Sequence, residues 1–282
     1  MKVLIVFGTR PEAIKMAPVF HELKKSFDVR VCVTGQHREM LDQVLNLFEI
    51  VPEYDLNIMK SGQDLFDVTN SVLLGMRQVL LKDKPDMVLV HGDTSTSMTT
   101  SLAAFYLQIP VGHIEAGLRT HNIYSPFPEE INRQITSRLT TFHFAPTEKA
   151  RQNLLEEQVQ DDKIIITGNT VIDSLFSVIE KAREMPFSKA LIDKLPFLSN
   201  GSSNKIVLIT GHRRENFGER FDQICQSLRT LSKMHPKVKF VYPVHLNPNV
   251  IEPVNRLLSD IVNFYLIEPQ DYLPFLKIMS LI

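Results

Sequence analysis

The chain has 282 residues and a formal net charge of −1, with 44% hydrophobic and 22% charged residues. This composition is typical of a soluble globular protein, and the length predicts about two domains. The near-neutral charge gives no reason to expect binding to nucleic acid or to an anionic membrane surface. No stretch is apolar for long enough to predict a membrane span.

The positions of the cysteines and histidines further limit the class of protein that this sequence can encode. Cys32 and Cys225 lie in apolar segments, which indicates buried free thiols and a reducing, cytoplasmic compartment. The amino terminus lacks the pattern of a signal peptide. The nine histidines show no paired metal-ligand spacing, so we expect no metal. We expect no redox cofactor, because the GxGxxG fingerprint of dinucleotide binding is missing.

In chain order, the first pattern is an apolar strand, a helix and a second strand. Val3–Phe7 and Asp28–Val33 predict buried strands, and a helix between them begins after Gly8 and is expected to kink at Pro18. This βαβ succession predicts a parallel α/β sheet with right-handed crossovers. The helix N-terminus would offer free N–H groups to an anion, and Arg10 adds positive charge. An ordinary turn explains the same pattern.

Two later strands each lead directly into an acidic residue. Met87–Val90 is followed by Asp93, and Val111–Ile114 is followed by Glu115. Because ligands bind beyond the carboxyl ends of parallel strands, we predict that both carboxylates face one site. The alternative for Asp93 is structural, as the cap of the helix that follows it.

A third carboxylate begins the next predicted helix, Glu129–Thr140. The connecting loop from Ala116 to Pro128 is long for this position, which favours a functional role. Glu129 also has a structural interpretation as a first-turn acid, or as the partner of Arg133 one turn later.

The second half repeats the same strand and helix pattern. A segment without a periodic pattern, residues 186–204, indicates a boundary region, and we divide the chain into domains 1–168 and 169–282. The predicted strands are Ile206–Thr210, Lys239–Val244 and Val262–Leu266. His212 and Arg213 follow the first of them, and this basic loop would suit the anionic groups of a ligand.

Seven motifs, taken together and in order, resemble the non-hydrolysing UDP-N-acetylglucosamine 2-epimerases. They are GTRPEAIKMAP (residues 8–18), TGQHREML (34–41), HGDT (91–94), HIEAGLRT (113–120), PFPEEINR (126–133), GNTVID (168–173) and GHRREN (211–216). The resemblance covers the whole chain. It implies a GT-B-like fold, in which two Rossmann-like doubly wound domains face a cleft.

The resemblance also implies an activity. Members of the family interconvert UDP-GlcNAc and UDP-ManNAc by eliminating UDP, which leaves a 2-acetamidoglucal, and by adding UDP back after reprotonation at C2. We expect no cofactor, no nucleic acid, no membrane, and a cytoplasmic homodimer.

The same motifs imply roles for individual residues. Matches to the family's catalytic positions fall on Asp93, Glu115, Glu129 and His212. Substrate binding is expected of Arg10, Lys15 and Arg133, and of Arg213 in the basic loop. Gln36 and His37 match a segment that contacts a second, activating UDP-GlcNAc, but Glu39 and Gly62 differ from some relatives, so we expect no strong allostery. The motifs leave open which carboxylate takes the C2 proton.

The chain departs from the family in length. Family members continue with a serine- and glycine-rich loop that holds the phosphates, and nothing here matches it. We therefore expect an incomplete second domain and a fragment with little or no activity. The alternatives to epimerisation are a hydrolysing 2-epimerase, a GT-B glycosyltransferase-like protein, or a UDP-sugar binding fragment without turnover.

Overall fold

The computed structural model describes residues 1–35, 38–60, 62–198, 205–211 and 217–282. The chain forms two compact units, Met1–Ser174 and Leu175–Ile282. Each unit contains one sheet in which all paired neighbours are parallel. No helix within the described ranges is long and apolar enough to cross a membrane.

The first unit is a seven-stranded sheet with helices between its strands. Its strands are β1 (Lys2–Phe7), β2 (Asp28–Val33), β3 (Tyr54–Asp55), β4 (Met87–His91), β5 (Val111–Ile114), β6 (Phe142–Ala145) and β7 (Ile164–Ile166). Its helices are α1 (Arg10–Leu23), α2 (Arg38–Leu47), α3 (Leu65–Asp83), α4 (Ser95–Tyr106), α5 (Glu129–Leu139) and α6 (Glu148–Glu156), and α7 (Val171–Glu184) continues into the second unit.

The strand order is β3-β2-β1-β4-β5-β6-β7. The chain therefore builds outward from β1 in one direction and, after returning to β4, in the other. The point between β1 and β4 is a topological switch point, where the connecting loops separate and a ligand can enter. The sequence produces this centre because Val3–Phe7 and Val88–His91 are almost fully buried apolar runs, as expected of strands covered on both faces.

The second unit is smaller. Its sheet has the order β10-β9-β8, with β8 (Ile206–Leu208), β9 (Lys239–Pro243) and β10 (Phe264–Ile267). Its further helices are α8 (Lys189–Lys194), α9 (Glu219–Met234), α10 (Pro248–Leu258) and α11 (Tyr272–Met279). The core of this unit includes the stacked rings of Phe240 and Phe264 on neighbouring strands.

Helix α1 includes Pro18 within one continuous element, and the kink expected there stays a prediction. Two local features differ from the sequence-based expectation. The segment 186–204 contains α8, which Ser188 caps by accepting a hydrogen bond from Leu191 N. The short strand β3 was not predicted, since two residues are too few to show an alternating pattern.

A buried carboxylate joins α3 to the first strands. Asp83 ends α3, its side chain is fully buried, and its Oδ1 accepts hydrogen bonds from Arg30 Nη1 (2.8 Å) and Tyr54 OH (3.0 Å). Lys2 Nζ donates to the Asp83 carbonyl at 2.6 Å. This cluster fixes the end of α3 against three adjacent strands.

We predict that Arg30→Met lowers the free energy of unfolding by about 1–3 kcal/mol, because the buried Asp83 carboxylate loses the guanidinium that donates to it. The matched control is Lys25→Met, which breaks the exposed Lys25–Glu22 pair and should change stability by less than about 0.5 kcal/mol. Urea unfolding curves measure both. Equal stability of the two variants would contradict the role given to Asp83.

Candidate active site at the carboxyl edge of the first sheet

The loops after β1 and β4 lie on the two sides of the switch point. The loop after β4 contains Gly92, Asp93 and Thr94, and the side chain of Thr94 caps α4 by accepting a hydrogen bond from Ser97 N at 3.1 Å. The interpretation of Asp93 as the cap of this helix is therefore wrong. Its carboxylate is left available for other contacts.

Asp93 is held by two residues of α5. The guanidinium of Arg133 donates from Nη2 to Asp93 Oδ2, and Asn132 Nδ2 donates to the Asp93 carbonyl at 3.0 Å. Burial raises the pKa of the Asp93 carboxyl; Arg133 opposes this effect, and the negative charges of Glu129 and Glu115 add to it. Asp93 and Glu115 follow the neighbouring parallel strands β4 and β5 at the same edge of the sheet, and Glu129 begins α5.

Glu115 follows β5 in a conformation that few non-glycine residues adopt, with φ at +64°. A left-handed residue of this kind costs roughly 1–2 kcal/mol, and such strain occurs most often at functional sites. Lys15 Nζ donates to both carboxylate oxygens, at 2.8 Å to Oε1 and 2.6 Å to Oε2. Asn169 Nδ2 donates to Oε2 at 2.8 Å. The carboxylate direction is therefore fixed from two sides.

Asn169 was not singled out in the sequence. It follows β7, and its Oδ1 accepts a hydrogen bond from Val171 N at 3.1 Å, which orients the amide at the start of α7. The only available signal was its position in the GNTVID motif after a short strand. It is nevertheless a direct partner of Glu115.

A buried acid lies beneath the two central loops. Glu12 Oε2 accepts hydrogen bonds from Gly8 N (3.0 Å) and Thr9 N (2.8 Å), and Oε1 accepts one from Thr94 Oγ1 (2.7 Å). Burial raises the pKa of Glu12, and these donors partly oppose the increase. The sequence predicted that the N–H groups after Gly8 would be free to bind an anion. This prediction is wrong for the N–H groups of Gly8 and Thr9, because both donate to Glu12. Glu12 instead ties the loop after β1 to the start of α4.

The adjacent glutamates of α5 have different environments. Glu130 is fully buried and accepts hydrogen bonds from Thr120 N (3.1 Å) and His121 N (3.2 Å). Burial alone would raise its pKa, but these donors and Arg133 bring the pKa below its usual value. Glu130 thus anchors the long loop before α5. Glu129 is half-buried.

Arg133 pairs with Asp93 and Glu130 among the described residues, so the suggested one-turn pair with Glu129 does not form. The long loop is anchored a second time through Arg119. Its guanidinium donates to both carboxylate oxygens of Glu157, the residue that follows α6, at 2.6 and 2.8 Å. The loop is therefore held by ion pairs and hydrogen bonds at its base.

Three buried histidines lie in neighbouring strands. His113 and His143 pair in register on β5 and β6, and His91 ends β4. Burial lowers the pKa of His91 and of His113 to about 3, and that of His143 to about 4. All three are neutral at pH 7. The Nε2 of His113 lies 2.6 Å from the carbonyl of Gly92, so the neutral ring must donate its proton there and support the turn that carries Asp93.

The remaining predicted residues fall into two groups. Arg10 is the first residue of α1, is half-buried, and has no ion-pair partner within the described ranges, so its charge is available to a ligand. Gln36, His37, His212 and Arg213 lie outside the described residues, and their roles stay predictions.

Comparison with known proteins agrees with the resemblance carried by the seven sequence motifs. A protein-family model described as UDP-N-acetylglucosamine 2-epimerase matches residues 21–281. The chain is 58% identical to UDP-N-acetylglucosamine 2-epimerase of Salmonella typhimurium, over 99% of this chain and 75% of that protein. It is 56% identical to the protein of the same name from Escherichia coli K12, with the same coverage.

Solved structures agree with the sequence comparison. A crystal structure of UDP-GlcNAc 2-epimerase from Neisseria meningitidis bound to UDP-GlcNAc has a TM-score of 0.90 and 56% identity, and covers 99% of this chain and 76% of that one. A Methanocaldococcus jannaschii UDP-GlcNAc 2-epimerase in complex with UDP-GlcNAc and UDP has a TM-score of 0.77 and 31% identity, with coverage of 99% and 76%. The fold is thus the GT-B-like α/β fold that was expected.

The buried histidines predict a loss of stability in acid. An unfolded histidine binds its proton near pH 6.5, whereas folded His143 does so only near pH 4. The neutral ring of His143 therefore makes its full contribution to the free energy of unfolding above pH 6.5. This contribution is lost as the pH falls toward 4, by about 3 kcal/mol in total. The free energy of unfolding of His143→Phe should therefore fall less steeply over this window than that of the unmodified chain. Parallel curves would contradict the assignment.

Proposed function

This chain belongs to the UDP-N-acetylglucosamine 2-epimerase family, and we propose that it interconverts UDP-GlcNAc and UDP-ManNAc by changing the configuration at C2. The activity is that of an isomerase. The observation that supports the proposal is the placement of Asp93 and Glu115 after the neighbouring strands β4 and β5, with Glu129 at the start of α5. Such a group supports proton transfer.

We propose that the reaction proceeds by elimination and re-addition. A base takes the C2 proton, the C2–H electrons form a C1=C2 double bond, and the C1–O bond breaks so that UDP leaves with that electron pair. An acid then delivers a proton to the opposite face of C2, and UDP oxygen re-forms the bond to C1. The first and last states differ only in configuration, so the sequence needs no net oxidant or reductant.

The surroundings of the three carboxylates suggest a different role in proton transfer for each of them. Burial gives Asp93 a raised pKa, which makes it a stronger base than an exposed aspartate and suits it to proton exchange. Glu115 has both oxygens fixed by Lys15 and Asn169, which suits it to a face-specific contact. Glu129 is the third candidate. The pH dependence of turnover would report these groups as a coupled set.

Cationic groups account for recognition of the diphosphate. Arg10 and Lys15 lie on α1 beside this edge, and Arg133 lies on α5; guanidinium and ammonium groups bind phosphate oxygens well. We assign proton chemistry to the same unit. His212 and Arg213 lie outside the described residues, and their contacts with the ligand stay predictions.

We also propose that the chain forms a homodimer in the cytoplasm. Leu74 of α3 and Tyr106 of α4 line one groove and are 50% and 65% exposed. Leu81 and Phe105 on the same two helices are at least half exposed as well. Contiguous apolar faces of this kind are uncommon on monomers, and two-fold dimers are the commonest way to cover them. The buried free thiols of Cys32 and Cys225 suit a reducing compartment.

Solvent isotope incorporation tests the reaction directly. In deuterated water we expect the UDP-ManNAc formed from UDP-GlcNAc to carry deuterium at C2, because the proton removed exchanges with solvent. Mass spectrometry and NMR of the product measure this. Retention of the substrate hydrogen would contradict elimination, and release of free N-acetylmannosamine would indicate hydrolysis.

The carboxylates should matter more to turnover than to folding. We predict that Asp93→Asn and Glu115→Gln each lower kcat by ~10²–10⁴-fold and change the free energy of unfolding by less than about 1 kcal/mol. Glu130→Gln is the control: it should lower stability by about 1–3 kcal/mol, because two loop N–H groups lose a charged acceptor. A near-normal kcat in the first two variants would refute the assignment.

The dimer proposal predicts a change in molecular mass. Leu74→Asp combined with Tyr106→Asp should convert a two-copy species to one copy in light scattering, since each subunit would bury two carboxylates. Val262→Asp, at a position that is 94% exposed in the second unit, is the control and should leave the mass unchanged. A monomeric unmodified chain, or a double variant that stays dimeric, would overturn the proposal.

A further inference from the structure

The side chain of His91 is buried at the end of β4. Its exposed fraction is 3%, and among the residues the structure describes neither ring nitrogen has a partner within hydrogen-bond distance. Leaving a buried polar group unsatisfied costs about 1–3 kcal/mol. Native proteins keep few such groups, and each one calls for an explanation.

The nearest charged group is the carboxylate of Glu115. Nε2 of His91 lies 3.8 Å from Glu115 Oε2, about 1 Å beyond a normal hydrogen bond. The titratable groups that face the ring are Glu115, Lys15 on α1 and His113 on β5. Burial, followed by the charge of Lys15, lowers the pKa of His91 to about 3. The neutral ring has one N–H to donate.

The two oxygens of Glu115 are not equivalent. Oε1 accepts a hydrogen bond only from Lys15 among the described residues, whereas Oε2 accepts from Lys15 and Asn169 and faces His91. Oε2 is therefore held by more donors than Oε1, whose one partner among those residues is Lys15. To accept a hydrogen bond from the ring, Oε2 would have to move ~0.6 Å closer to Nε2 than its distance of 3.8 Å.

We propose that His91 is a positioning residue for Glu115, whose neutral ring donates its Nε2 proton to Oε2 during turnover and so holds Oε1 toward C2 of the substrate. This proposal rests on the proposed epimerisation. The ring does not touch substrate and exchanges no proton with it. The His91 ring has no hydrogen-bond partner among the described residues. This unsatisfied group lowers stability, and it keeps a donor beside the Glu115 carboxylate.

Two substitutions distinguish a positioning role of His91 from a role in packing alone. His91→Phe keeps a ring but removes the donor, whereas His91→Gln places an amide N–H close to the position of Nε2. We expect His91→Phe to lower kcat by about 10- to 100-fold, the value of a hydrogen bond to a charged group, with KM for UDP-GlcNAc changed by less than about threefold. His91→Gln should recover most of kcat. The acid limb of the kcat–pH profile should move to higher pH in His91→Phe, because the ionised form of the carboxylate set loses a donor.

Stability gives an independent readout. Replacing an unsatisfied buried ring by an apolar one should leave His91→Phe at least as stable as the unmodified chain, so turnover and stability move in opposite directions. His143→Phe, at a buried histidine on β6 whose Nδ1 is also unpartnered, is the matched control and should keep kcat within about threefold.

The possible outcomes distinguish a failure of the proposed function from a failure of the positioning role of His91. If the protein extended to the length of its relatives, of which this chain spans 75%, forms no UDP-ManNAc, the proposed function itself fails. If it does, a normal kcat in His91→Phe overturns the positioning role. Equal losses of kcat in His91→Phe and His91→Gln, or a loss of stability that parallels the loss of kcat in His91→Phe, also overturn it.

Discussion

The ion pair between Lys15 and Glu115 is the contact on which the site depends. It joins the first helix to the end of β5, two strands away from β1 in the sheet, and both carboxylate oxygens take part at 2.6–2.8 Å. Glu115 is placed there by a left-handed backbone at +64°, which directs its side chain back over the edge of the sheet. Asn169, after β7, completes the clamp from the other side. A short stretch of backbone strain is thus balanced by three charge-assisted hydrogen bonds.

The site contains two classes of acidic residue, distinguished by where their hydrogen bonds come from. Glu12 and Glu130 accept backbone N–H groups from the loops they support, so their charge is used to fix the chain. Asp93 and Glu115 accept from side chains of Arg133, Lys15 and Asn169, which can exchange these contacts for a ligand. The first class makes the second possible, because the loop after β4 cannot hold Asp93 in place without Glu12 beneath it and α5 beside it.

Much of this arrangement could be predicted from the sequence. Continuous apolar runs located β1, β4 and β5, and the rule that ligands bind beyond parallel strands brought Asp93 and Glu115 to one edge. Sequence could not separate Glu129 from Glu130, since the two differ only in which face of α5 they occupy. It could not identify Glu12, Asn169 or His91 as partners of the site, because each acts across a long separation in sequence. Nor could it show that Glu12 occupies the N–H groups after Gly8.

A double-mutant cycle on Lys15 and Glu115 tests most directly whether they act as one unit. The quantities to measure are kcat for UDP-ManNAc formation by Lys15→Met, Glu115→Gln and the double variant. If the pair is a single functional unit, the double variant should be slower than the slower single variant by no more than about threefold, since residues that act together show non-additive effects. If the two reductions multiply, Lys15 and Glu115 act independently, and the clamp described here does not control the reaction.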